Sequence, residues 1–130
     1  MTKYLAKIIA SDQEGLQMIS AYSSGASVRI GDIKYLASNK IFLLSIKRIK
    51  IETNQVNKKI NSICRFDFIE KVRSKNIDQL DQNKVLELIG IDYLKNKNEC
   101  EINLIFNDNS HISLTTDPIE VRLEDQNEIK

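Results

Sequence analysis

A period of two runs through most of this chain. Apolar side chains fall on every second residue at Cys64, Phe66 and Phe68, at Cys100, Ile102, Leu104 and Phe106, and at Ile112 and Leu114. Neighbouring side chains on an extended strand point to opposite faces, so the alternation describes strands with one buried face. Helical spacing appears clearly only once, after Ser11. The chain is therefore expected to be mostly β, and its 130 residues suffice for one core, read as a single domain over 1–130.

The expected elements follow from these patterns. Residues 4–10 form an apolar first strand. Ser11-Asp12-Gln13-Glu14 has the spacing of a capping box, with Ser11 as the cap. Leu16 and Ile19 give a helix over 12–22 one apolar stripe, and Gly25 stops it. Val28, Ile30 and residues 33–36 make one strand with a bend at Gly31-Asp32. In the next strand, 41–52, Phe42, Leu44 and Ile46 share a face but Ile49 and Ile51 have the other parity. A β-bulge near Lys47-Arg48 is the expected remedy.

Residues 60–73 read as one long strand with Cys64, Phe66, Phe68 and Val72 inward. Residues 85–94 are apolar on both parities, as in a strand covered on both faces. Asn107-Asp108-Asn109-Ser110 is hairpin-turn chemistry leading into the strand of Ile112 and Leu114. At the end, 119–124 alternates like a strand, yet Asp117-Pro118-Ile119-Glu120 places a cap, a first-position proline and a third-position glutamate. A short C-terminal helix is expected there. The fold class is then α+β, mostly antiparallel: a seven-stranded meander forming a roll or barrel, pleckstrin-homology-like by architecture, with a helix after strand 1 and another at the end.

Common catalytic signatures are missing. His111, the one histidine, falls on an outward parity with no Ser, Cys or carboxylate placed to work with it. One histidine and two separated cysteines cannot make a zinc set, and no phosphate-binding glycine loop occurs. No metal or cofactor is expected. Cys64 and Cys100 read as buried reduced thiols, to be bridged only if their strands are neighbours. The longest mostly apolar run, 41–46, is far too short to span a membrane, and no signal peptide is visible, so a cytoplasmic location is expected.

Charge is distributed unevenly. The formal total is +1, but residues 40–75 hold ten basic and three acidic groups, while 76–130 hold five and twelve. If 41–52 and 60–73 pair as a hairpin, Lys47, Arg48 and Arg65 converge, and Lys50, Lys58 and Lys59 continue toward its loop. Such a surface suits a phosphate, an anionic head group or an acidic protein face. The plainer reading is a solvated face balanced by the acidic half. Nucleic acid is disfavoured, because Phe42, Phe66 and Phe68 all read as inward. Ile41, Leu43 and Ile69 fall on the outer face of the same hairpin and require a cover, either the first helix or a second subunit. The chain is accordingly expected to be a monomer or a homodimer.

Isoleucine, lysine and asparagine fill 46 of 130 positions, a bias that suits an AT-rich genome. The stretches ISAYSSGASVRIGDIKYL (19–36), FDFIEKVRSKNID (66–78), NKVLELIGIDY (83–93) and INLIFNDNSHISL (102–114) resemble an alphaproteobacterial family catalogued as domain of unknown function 2948. The resemblance covers most of the chain in the same order. It implies a small bacterial protein, and a glycine often stands where this chain has Asn76, implying a left-handed turn there. It implies no activity and transfers no functional residues. Two functions are consistent with these readings: a non-catalytic binding or scaffold module engaging a protein or anionic partner, or a small enzyme or ligand-responsive regulator with an unrecognised pocket.

Overall fold

The computed structural model describes residues 5–49 and 58–128. They form ten strands and one α-helix: β1 (Lys7–Ala10), α1 (Gln13–Ser23), β2 (Ala26–Arg29), β3 (Ile33–Leu36), β4 (Ile41–Ile49), β5 (Lys59–Phe66), β6 (Ile69–Lys75), β7 (Val85–Lys95), β8 (Cys100–Phe106), β9 (His111–Thr116) and β10 (Val121–Glu128). All ten strands belong to one open antiparallel sheet with the order β1-β10-β5-β4-β2-β7-β8-β9-β6, and β3 pairs with β4 beside that path. Hairpins link β4 to β5 and β7 through β9, but the chain is no simple meander. The crossing from β9 to β10 carries it to the far side of the sheet. Inward residues from both ends, such as Phe42, Phe66 and Leu123 with Leu88, Leu104 and Leu114, form one core cluster. The sheet therefore curls over on itself.

The helix begins one residue later than the capping box suggests. Asp12, extended at φ −147°, is the N-cap, and its carboxylate accepts from the Gly15 N–H at 2.8 Å. A Cβ on Gly15 would lie 2.9 Å from the Ala10 Cβ, so glycine lets the helix start against β1. Gly25, at φ +86°, ends it. Leu16 and Ile19 are buried. On α1, Ser20 Oγ accepts from the Ile91 N–H at 2.9 Å, and just beyond it Ser24 Oγ donates to the Ile89 carbonyl at 3.0 Å. These hydroxyls satisfy β7 backbone groups beyond the point where β2 stops pairing with it.

Several expectations are corrected. The strand expected across 27–36 is two strands, because Ile30–Asp32 form one turn of 3-10 helix; both strands pair with β4, and β2 alone also pairs with β7. The expected bulge at Lys47-Arg48 does not occur. The β4–β5 register runs unbroken from Phe42 opposite Phe66 to Ile49 opposite Lys59, which turns Arg48 inward and leaves Ile49 exposed.

The long strand over 60–73 is broken at Phe68, which adopts φ +61° and is 49% exposed rather than inward. Apolarity on both parities in β7 comes from a register shift between Leu88 and Gly90; Val85, Ile89 and Leu94 are exposed. Finally, the segment expected as a C-terminal helix is the strand β10, lying between β1 and β5. The likeness to pleckstrin homology depended on that closing helix.

Other readings correspond closely to the structure. Cys100, Ile102, Leu104 and Phe106 all face the core. Asp108 and Asn109 both have positive φ, as a two-residue I′ turn requires, and the Ser110 N–H donates to the Asn107 carbonyl at 3.2 Å. Asn76 is left-handed at φ +59°. No helix among the described residues is long and apolar enough to cross a membrane.

Candidate functional site

Lys47 and Arg48 are neighbours in sequence and point to opposite sides of β4. Arg48 enters the core and is fully buried. Its Nε donates to Asp125 Oδ1 at 2.9 Å and its Nη2 to Oδ2 at 2.7 Å, a bidentate pair. The Ser62 hydroxyl donates to Oδ1 at 2.6 Å, and the Ala6 N–H donates to Oδ2 at 2.7 Å. The Arg48 guanidinium also lies 5.3 Å from the centre of the Tyr22 ring. Burial pushes the Asp125 carboxyl up, but the bonds from Arg48, Ser62 and Ala6, together with the Arg48 charge, hold it below the usual carboxylate range. One charge of the basic segment is thus neutralised internally by one from the acidic half.

Lys47 points outward, flanked across the sheet by Ser27 of β2 and Asn61 of β5. With Arg29, Lys59 and Ser45 these residues line a cleft of about 580 Å³ on the outer face of β2, β4 and β5. Arg29 is held in place by Asp32, which takes both Nε and Nη2, and by Asn83. Hydrogen bonding to Asp32, followed by that residue's charge, raises its pKa. Gln126 reaches the cleft from β10.

The remaining members of the expected basic hairpin are dispersed. Arg65 stands opposite Leu43, four residues along β5 from Asn61, or roughly 13 Å away. It pairs with Asp67 at 3.0 Å. Lys58 is half-buried. Lys50 and residues 51–57, which include the end of the expected strand 41–52, lie outside the described residues. Arg122 was hidden from sequence reasoning by the expected helix. As a strand residue it stands directly opposite Arg65 on this outer face. Alternation over 119–124 was the signal that could have found it.

Of the apolar trio, Ile69 is fully buried and belongs to β6, paired with β9 rather than continuing β5. Its N–H still donates to the Lys40 carbonyl at 2.8 Å, next to Ile41. Ile41 and Leu43 are half-buried. Both cysteines are free and buried, on the non-adjacent strands β5 and β8. Burial pushes the Cys64 thiol up to about 12, against the opposing effects of Ser23 and Arg48. No group of three or more His, Cys, Asp or Glu gathers to hold a metal among the described residues. His111 lines a wide, open depression beside the 107–110 turn.

Fold and site together define an antiparallel β domain with a polar, partly basic outer face and an ion pair sealed beneath it. A family model, described as a protein of unknown function, DUF2948, matches residues 6–130, and the chain belongs to that family. No curated protein and no solved structure matches it.

Proposed function

We propose that this chain is a non-catalytic binding domain that engages an acidic partner through the outer face of β2, β4 and β5. The cleft carries the argument. Lys47 and Lys59 border it, Arg29 is fixed at its edge by Asp32, the one carboxylate in the lining, and Ser27, Ser45 and Asn61 supply neutral hydrogen-bonding groups. Cations spaced among such groups favour a carboxylate or phosphate held by several contacts. The strongly shifted thiol of Cys64 and the buried carboxylate of Asp125 are shielded in the core and neither lines this cleft, which favours binding over acid-base chemistry.

The test replaces Lys47 and Lys59 by glutamate together and leaves Arg48 untouched, because reversing Arg48 would destroy the core ion pair. Binding to a poly-glutamate peptide and to a phosphorylated peptide is measured by calorimetry at low and high salt. The wild type is expected to bind one of them in a salt-sensitive way, and the variant to bind it about tenfold or more weakly at unchanged thermal stability. Equal affinity of the two proteins would sink the reading, as would no binding of either peptide.

A further inference from the structure

A second cavity, different in chemistry, occupies the place where the curled sheet fails to close. Among the described residues β3 pairs only with β4, and β6 only with β9. Their open edges border a cavity of about 300 Å³, with Ile33 and Tyr35 on one wall and Val72 and Ser74 on the other. Phe42 and Ile112, both core residues, also line it.

The gap is bridged at both ends. At one end the Tyr35 hydroxyl donates to the Ile69 carbonyl at 2.8 Å, the Ile69 N–H donates to the Lys40 carbonyl at 2.8 Å, and Lys40 pairs with Glu70 at 3.0 Å. At the other, the Gly31 N–H donates to the Gln82 carbonyl at 2.8 Å and the Ile30 N–H to the Lys84 carbonyl at 2.9 Å. A Cβ on Gly31 would approach the Gln82 carbonyl to 3.1 Å, so glycine permits that second closure. The cavity lies between these two bridged ends.

The lining is unusual for this chain. Charged residues make up 28% of the sequence, yet none lines this cavity. Its polar side chains are Ser74, Gln79, Gln82 and the Tyr35 phenol, all neutral. An ion entering here would lose hydration with no counter-charge among the lining side chains, a cost that a neutral molecule avoids. Apolar walls reaching the core with a few neutral donors and acceptors at the rim are the common composition of a small-molecule site. The volume sits at the lower end of the roughly 300–1,000 Å³ such sites span.

The geometry points to a binding site for a small uncharged ligand, with an apolar body against Phe42, Val72 and Ile112 and an amide or hydroxyl meeting Gln79, Gln82 and Ser74. It is independent of the basic cleft on the outer face of β2, β4 and β5, and its ligand has the opposite electrostatic requirement.

The experiment is an amide-resolved NMR titration of the full chain with two neutral probes, acetanilide and 3-phenylpropan-1-ol, and with benzoate as the charged control. Saturable shifts centred on Tyr35, Val72, Ser74 and Gln82 are expected for at least one neutral probe, with benzoate binding about tenfold or more weakly at these residues. Val72→Trp fills the cavity from its wall, and Ser74→Trp, at an exposed position, fills it from the rim should the first variant not fold. Either folded variant is expected to weaken the neutral probe about tenfold or more. Absence of localised shifts with both neutral probes overturns the proposal. Equal binding of benzoate, or binding that survives a folded filled variant, also overturns it.

Discussion

Arg48 and Asp125 stand 77 positions apart in sequence and meet at 2.7 Å with both side chains wholly shielded from solvent. The contact joins β4 to β10 across the intervening β5, whose Ser62 donates to the same carboxylate. The Ala6 N–H adds the residue just before β1. Three other parts of the chain thus converge on one carboxyl group of β10. Removing both charges in favour of well-packed apolar residues is often neutral, whereas removing one leaves the other stranded.

Asp125→Asn is therefore expected to destabilise the fold by about 3–5 kcal/mol, and Asp125→Leu combined with Arg48→Met to recover most of that loss. Urea denaturation of the three proteins measures both quantities. A single variant within about 1 kcal/mol of wild type would show that the pair is not an anchor.

The same carboxylate sets an acid limit. Its folded pKa is lowered, so its contribution is complete above the unfolded value of about 4 and is lost as pH falls through the folded value. Melting temperature followed from neutral pH downward should fall through that window in the wild type. Asp125→Asn should lack this component of the fall, and parallel pH profiles would contradict the assignment.

Cys64 should be chemically silent in the native protein. With its thiol pushed up to about 12, Cys64 stays protonated at pH 8, and burial denies access to it. Peptide mapping after brief alkylation should find Cys64 unmodified in native protein and fully modified in urea. Rapid native labelling would mean that β5 opens readily.

Phe68 occupies the left-handed region at the corner between β5 and β6, a rare conformation for a bulky residue. Phe68→Ala and Phe68→Gly both lose the ring, but only glycine relieves the backbone. The glycine variant should be more stable than the alanine variant by about 1–2 kcal/mol, read from chemical denaturation. Equal stabilities would place the corner's cost elsewhere.

The sequence was legible wherever a signal was local. Alternation in Cys100, Ile102, Leu104 and Phe106 identified a buried face, and helical spacing around Leu16 and Ile19 located α1 to within one residue at each end. Asp108 and Asn109 announced their turn because few residues tolerate positive φ. The C-terminal segment misled because Asp117 and Pro118 offered good helix-start chemistry, while open positions beside β1 and β5 offered β10 two ladders of backbone hydrogen bonds. Tertiary pairing outweighed a local cap.

The basic segment shows the same division. Its ten cations and the acidic excess after residue 76 are properties of the sequence alone, and they identify where opposite charges must be reconciled. Which cation goes inward was decided by the unbroken β4–β5 register, which gives Lys47 to the outer cleft and Arg48 to Asp125. A one-residue slip would have exchanged them, because side chains alternate faces with a period of two. The sequence therefore determined that this protein carries a basic segment. Only pairing among strands distant in sequence decided which of those charges remain available at its surface.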